Sequence, residues 1–143
     1  MADRPEQNIE MVRQAFEAYA RDGVAVVMPL LDPQVEVYSP PGIANSGLFH
    51  GVEGYRAWTD AWFEAWDEFE IDPQKVEAVG ETCVIAVCHQ RGVGKSSGIA
   101  VEQTMVYMWD FQDGRIVRFH LYVDRDEAVA AALDPAPRQG PEG

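Results

Sequence analysis

The chain has 143 residues, enough for one domain with one core, and 47% of them are hydrophobic, which excludes wholesale disorder. A formal net charge of −13 argues against nucleic acid and anionic membrane surfaces as partners, since both need a basic face. No apolar run is long enough to span a bilayer, and Met1 to Glu6 contain no hydrophobic signal region, so a cytoplasmic protein is expected.

The spacing predicts a first helix from about Pro5 to Arg21, with Ile9, Val12, Phe16 and Tyr19 on one apolar stripe. Asp22-Gly23 ends it. Val24 to Leu31 reads as a second, short helical segment interrupted by Pro29 and closed by Asp32-Pro33. Strict alternation then predicts a strand over Val35–Ser39, with Val35, Val37 and Ser39 on one face and Glu36 and Tyr38 on the other. Residues 42–51 read as loop. A third helix follows from about Val52 to Trp66, with Tyr55, Trp58, Trp62, Phe63 and Trp66 at helical spacing. Its tryptophans either fill the core or form the aromatic wall of a cavity.

Glu64, Asp67, Glu68, Glu70 and Asp72 lack the spacing of a calcium loop and read as a solvated face at the end of that helix. A strand is expected over Gln74–Val79, and then a β-meander with strands Cys83–Arg91, Ile99–Phe111 and Arg115–Val123, the last two joined at Gln112-Asp113-Gly114. Gly92, Gly94 and Gly98 lie between two strands and open no helix, which removes the context of a phosphate loop. Cys83 and Cys88 are separated by an odd offset on one strand, so they point to opposite faces and cannot form a disulfide with each other. Asp124 is placed to cap a short final helix ending near Leu133. The Pro/Gly-rich tail, residues 135–143, is expected to be disordered beyond a single domain over residues 1–134.

These segments resemble the SnoaL-like group of the nuclear transport factor 2 superfamily, which also holds ketosteroid isomerase and limonene-epoxide hydrolase. The resemblance rests on Phe16-Glu17-Ala18-Tyr19-Ala20-Arg21-Asp22-Gly23, Leu31-Asp32-Pro33-Gln34-Val35-Glu36-Val37 and Phe49-His50-Gly51. It continues through Arg91-Gly92-x-Gly94-x-x-Ser97-Gly98, Trp109-x-Phe111-x-Asp113-Gly114-Arg115-Ile116 and Tyr122-x-Asp124-Arg125-x-Glu127-Ala128, so that it spans about Glu6 to Leu133. It implies an α+β fold, a cone-shaped, curved, antiparallel or mixed sheet wrapped around N-terminal helices and enclosing one apolar pocket. It also implies a homodimer formed through the sheet's outer face.

Alternation selects the more apolar faces to point inward: Gln103, Met105, Tyr107, Trp109 and Phe111 on one strand, and Val117, Phe119, Leu121 and Val123 on the next. The expected pocket comprises Phe16, Ser39, Trp58, Trp62, Gln103, Met105, Tyr107, Trp109, Phe119 and Leu121. The parity of Cys83–Arg91 stays open, because Val84/Ala86/Cys88 and Cys83/Ile85/Val87 are both apolar. If the second set faces in, His89 and Arg91 line the pocket beside Glu102.

The acid and base positions of the family's enzymes correspond here to Ser39, Phe16 and Tyr107 for the isomerase, Leu121 for the cyclases, and Cys88 and Gln90 with Leu121 for the hydrolase. None of the three acid–base sets is carried over intact. His50, Ser39 and Tyr107 are the remaining candidates for catalysis, with His50 at the expected mouth of the cone. His120 is expected on the outward face, toward solvent or a partner subunit. The histidines lie on separate elements without ligand spacing, so no metal site is expected, and proton-transfer chemistry of this kind needs no cofactor.

Two readings follow. One is a protein that binds a small apolar molecule, with an isomerase, cyclase or hydrolase as its catalytic form. The other is a non-catalytic binding or interaction domain whose pocket is filled by its own aromatics.

Overall fold

The computed structural model describes residues 5–22, 28–40 and 47–133. The order is α1 (Pro5–Asp22), a 3₁₀ turn (Met28–Leu30), β1 (Leu31–Ser39), β2 (Gly47–His50), α2 (Gly51–Ala65), β3 (Trp66–Val79), β4 (Cys83–Gly94), β5 (Ala100–Gln112), β6 (Arg115–Tyr122) and α3 (Arg125–Leu133). The strands form one curved six-stranded sheet in the order β2-β1-β6-β5-β4-β3. Only β1 and β6 run parallel; every other neighbouring pair is antiparallel.

The central strands are packed on both faces. On the inner face Val84, Ala86 and Cys88 join Met105, Tyr107, Trp109, Phe111, Phe119 and Leu121 in the main core beneath α1 and α2. On the outer face Cys83, Ile85, Val106 and Met108 pack with Ala128 of α3. The open parity of β4 is thereby settled: Gln90 is buried on the inner side, and His89 and Arg91 lie on the outer side. Cys83 and Cys88 are free thiols in different cores, as the odd offset requires. Burial pushes Cys83 up to about 11 and Cys88 up to about 12, so both stay protonated and unreactive.

Several boundaries differ from the sequence reading. The expected second helix is reduced to a 3₁₀ turn in its described part, residues 28–30; residues 24–27 lie outside the described residues, as do the tail 134–143 and the side chains of Tyr19 and Phe63. Asp32-Pro33 does not close a helix but lies within β1, where the pairing with β6 is irregular between Leu31 and Glu36. A proline has no N–H for the ladder, and the irregularity accommodates it. Gly47–His50, expected as loop, is a strand paired with β1. Glu64 lies in α2, but Asp67, Glu68, Glu70 and Asp72 belong to β3, which starts at Trp66 and is irregular between Asp67 and Glu70, with Glu68 at φ 51°. This is an edge strand, where an interruption and exposed acids are tolerated and discourage pairing with another sheet.

β6 departs from simple alternation. The register with β5 shifts between Asp110 and Phe111, so Asp110 faces Arg118 but Phe111 faces Ile116. Val117 is the extra residue of this bulge, and Ile116 takes the inner position that simple alternation gave to Val117. Val123 lies past the strand end and is 61% exposed. The β5–β6 turn is read correctly from Asp113-Gly114: both residues have positive φ, 53° and 79°, the conformation of a tight two-residue hairpin. The Glu127 N–H donates to Asp124 Oδ2 at 3.2 Å, so Asp124 caps α3.

The bulge also sets a buried ion pair on the outer face. Arg118 Nε donates to Asp110 Oδ2 at 2.9 Å, and the Thr82 hydroxyl donates to Asp110 Oδ1 at 2.9 Å. Both charged residues are buried, so removing one leaves the other without its partner. Asp110→Ala should destabilise the protein by about 3 kcal/mol in denaturant titration. Lys75→Ala, which breaks an exposed contact with Glu77, should cost no more than about 0.5 kcal/mol. Equal losses in the two variants would show that the buried pair has no special weight.

Candidate functional site

A cavity of about 90 Å³ lies between the inner face of the sheet and the helices. Alternation along β5 and β6 aims Tyr107, Trp109, Phe119 and Leu121 into it, α1 contributes Met11, Ala15 and Phe16, and α2 contributes Tyr55, Trp58 and Trp62. The rings meet edge to face and in offset stacks. Phe16 stands on Trp109 at 5.6 Å and 89°, Trp109 lies nearly parallel to Phe119 at 5.6 Å and 20°, and Trp58 meets Phe119 at 5.2 Å and 88°. Such contacts fix ring orientation as well as burying area, and each contributes ~0.5–1.5 kcal/mol beyond burial.

No Asp, Glu, His, Lys or Arg stands among the described residues lining this cavity. Its polar neighbours are neutral and largely bonded to each other. The Trp58 indole N–H donates to the Ser39 hydroxyl, and the Tyr107 hydroxyl donates to Gln90 Oε1 at 2.7 Å. Thr59 lines the cavity, and its hydroxyl donates to the Arg56 carbonyl at 2.9 Å.

Of the residues expected at the pocket, Phe16, Trp58, Trp62, Tyr107, Trp109, Phe119 and Leu121 line this cavity. Ser39 lies behind Trp58, bonded to its indole. Met105 is buried in the inner core without reaching the lining, and Gln103 lines a second, smaller cleft with Trp62, Trp66 and Gln90. His50 is exposed, outside the lining, and pairs in register with the outward-facing Glu36. Gln90 is the inner-face polar residue that strand parity alone left ambiguous; the bond to Tyr107 identifies it. Trp66, expected as the last turn of a helix, is instead the first residue of β3.

The ionisable groups are on the outer face. His120 Nε2 lies 2.8 Å from Glu36 Oε2, and Nδ1 lies 3.0 Å from the Tyr122 hydroxyl. His120 is therefore on the face expected, but buried within the chain rather than open to solvent. The hydrogen bond from His120 is the largest influence on Glu36 and holds its carboxyl below the ordinary 4.5, against the opposing effect of burial. Burial pushes Tyr122 up to about 12. His89 and Glu102 are also in contact, at 3.4 Å, on the outer and more exposed side. Among the described residues no cluster of His, Cys, Asp and Glu could hold a metal ion, and no helix is long and apolar enough to cross a membrane.

The SnoaL-like domain model matches residues 12–119. The chain belongs to the SnoaL-like family. Solved structures give the same architecture. A nuclear transport factor 2-like protein of unknown function from Burkholderia pseudomallei superposes with a TM-score of 0.73 at 23% identity, over 89% of this chain and 98% of its own. A protein of Jannaschia sp. CCS1, provisionally named a SnoaL-like polyketide cyclase, gives 0.73 at 18% identity, over 94% and 98%. TerC, co-crystallised with polyporic acid, gives 0.71 at 17% identity, over 86% and 98%. At these identities the likeness establishes the fold alone. No curated protein matches the sequence.

The Glu36–His120 contact predicts an acid limb in the stability of this SnoaL-like protein. Because the folded-state value of Glu36 is lowered, the unfolded chain takes up the proton first as pH falls. The stabilisation is complete above the ordinary value of 4.5 and is lost as pH drops through the lower folded value. Glu36→Gln should flatten the melting-temperature profile below pH 5 and cost about 1 kcal/mol at pH 7. A variant profile that runs parallel to that of the wild type would remove Glu36 as a contributor.

Proposed function

We propose that this SnoaL-like protein binds a compact, predominantly apolar molecule in the aromatic cavity, by shape and ring contacts. The observation that carries the reading is the lining: aromatic and aliphatic side chains converge on one hollow and, among the described residues, the polar groups lining it are neutral. A structural neighbour co-crystallised with polyporic acid supports the idea that this fold accommodates a small organic molecule. Binding is favoured over turnover because proton transfer needs a group that ionises near neutral pH within reach of the ligand. An isomerase, cyclase or hydrolase form of the protein would have to draw such a group from outside the described lining.

Volume limits the ligand. An apolar cavity of about 150 Å³ binds benzene, whereas this one measures about 90 Å³. A single ring therefore enters by displacing a wall side chain, and the half-buried Phe16 on α1 is best placed to yield. The same figure supports the second reading, in which the protein's own rings occupy the cone and the domain serves binding or assembly without an enclosed ligand.

Titration with styrene separates the two. Saturable quenching of tryptophan fluorescence is expected, and Ala15→Leu, which adds volume inside the cavity, should weaken it about tenfold while the fold is retained. Absence of saturable binding would leave the self-filled reading.

The protein is also read as a homodimer through the outer face of the sheet. The support is the family, together with the rings of Tyr38 and Tyr122 beside His120 on that face. Light scattering should give twice the chain mass, and the mass of a single chain at high concentration would refute the dimer.

A further inference from the structure

A second cleft, about 10 Å³, adjoins the main cavity. The two share Trp62 and Phe69 as walls, and the rings of these residues meet edge to face at 5.2 Å. The volume is that of roughly one water-sized atom. The chemistry around it differs from that of the main cavity. Trp66 Nε1 is buried and has no hydrogen-bond partner among the described residues. An indole N–H can only donate, and a buried donor without an acceptor is costly enough to be rare. Gln90 is 2% exposed and gives its oxygen to the Tyr107 hydroxyl, which leaves its amide nitrogen as a donor. Gln103 stands directly opposite Gln90 across the β4–β5 ladder and lines the same cleft.

The cleft also depends on Gly92. A Cβ there would meet Trp66 Cε3 at 3.1 Å and Phe69 Cδ1 at 3.4 Å, so glycine lets both rings lie close against β4. Arg91 borders the cleft, but its guanidinium is engaged with Glu70 at 2.8 Å, in a pair exposed to solvent. The other side-chain donors bordering the cleft, those of Trp66, Gln90 and Gln103, are neutral.

We propose that this cleft receives one neutral oxygen atom of the ligand, a carbonyl oxygen that accepts hydrogen bonds from the N–H groups of Trp66, Gln90 and Gln103, while the apolar body of the ligand occupies the main cavity. The inference rests on the reading of that cavity as a binding site and narrows its ligand to a compact apolar carbonyl compound. A carboxylate is disfavoured, because Arg91, which borders the cleft, already has its charge engaged by Glu70 and would offset little of the desolvation.

Styrene and benzaldehyde differ by exchange of a terminal CH₂ for an oxygen and make the test direct, with benzoate as the charged control. The ratio of benzaldehyde to styrene affinity should fall about fivefold in Trp66→Phe and in Gln103→Leu, the loss of one hydrogen bond. Styrene affinity should hold in at least one of the two variants. The Trp66 indole proton in a ¹⁵N-labelled sample should shift on adding benzaldehyde and stay in place with styrene. If styrene binds but the ratio is unchanged in both variants, or the indole proton does not move, the cleft holds a resident water only and the inference is overturned while the cavity reading stands. If benzoate binds more tightly than benzaldehyde, the neutral-oxygen assignment is wrong. If styrene does not bind at all, the inference falls together with the cavity reading.

Discussion

The structure depends on the register of β4, β5 and β6, because both faces of these strands carry packed side chains. One set of side chains meets α1 and α2 across the aromatic core, and the other meets α3 or the outer polar cluster. A slip of one residue would exchange the faces. It would put Asp110, Arg118 and His120 among the rings and send Tyr107, Trp109 and Phe119 to the outer side. The cost would be uncompensated charge in an apolar hollow as well as lost burial, at ~1.5–3 kcal/mol for each large side chain. The register thus fixes both the core and the composition of the cavity.

The bulge between Asp110 and Phe111 adjusts that register locally. Without it Val117 would face inward and Ile116 outward along β6. With it Ile116 packs below Phe111 while Arg118 remains opposite Asp110 and, on the other side, opposite Glu36. One extra residue lets an apolar lining and a charged row coexist on the same short strand. Bulges also increase local bending, and Phe111 and Ile116, which flank this one, line the cavity. The irregularities at Asp67–Glu70 and Pro73–Lys75 act on β3 at the sheet edge.

The features legible in the sequence were those with strong periodicity. The stripe of α1, the tryptophan helix α2, the three strands of the meander, the Asp113-Gly114 turn and the Asp124 cap all follow from spacing and turn chemistry. The inward sets Met105/Tyr107/Trp109/Phe111 and Phe119/Leu121 follow from alternation. Four features were not legible, each for a physical reason. β4 is apolar on both faces, so its parity carries no signal until α3 is seen to cover one of them. β2 is four residues long and rich in neither pattern nor β-branched side chains, and pairing with β1 rather than propensity makes it a strand. A bulge leaves no mark in composition, which misassigned Val117. Trp66 continued the helical spacing of Trp58 and Trp62, yet its ladder contact with Gly94 carries it into β3 and turns its indole toward the small cleft.

The two faces also divide the chemistry. Inside, polar groups pair as neutral with neutral: indole with hydroxyl, phenol with carboxamide. Outside, they pair as ions or as ionisable contacts: Arg118 with Asp110, Glu36 with His120, His89 with Glu102. In a low-dielectric hollow a charge would need a matched partner and further hydrogen bonds to be tolerated, whereas neutral pairs need only each other. The division has a functional consequence. The ionisable pairs bear on stability and on whatever meets the outer face. The described lining contains no acidic, basic or histidine side chain, so recognition inside the cavity rests on shape and on neutral donors.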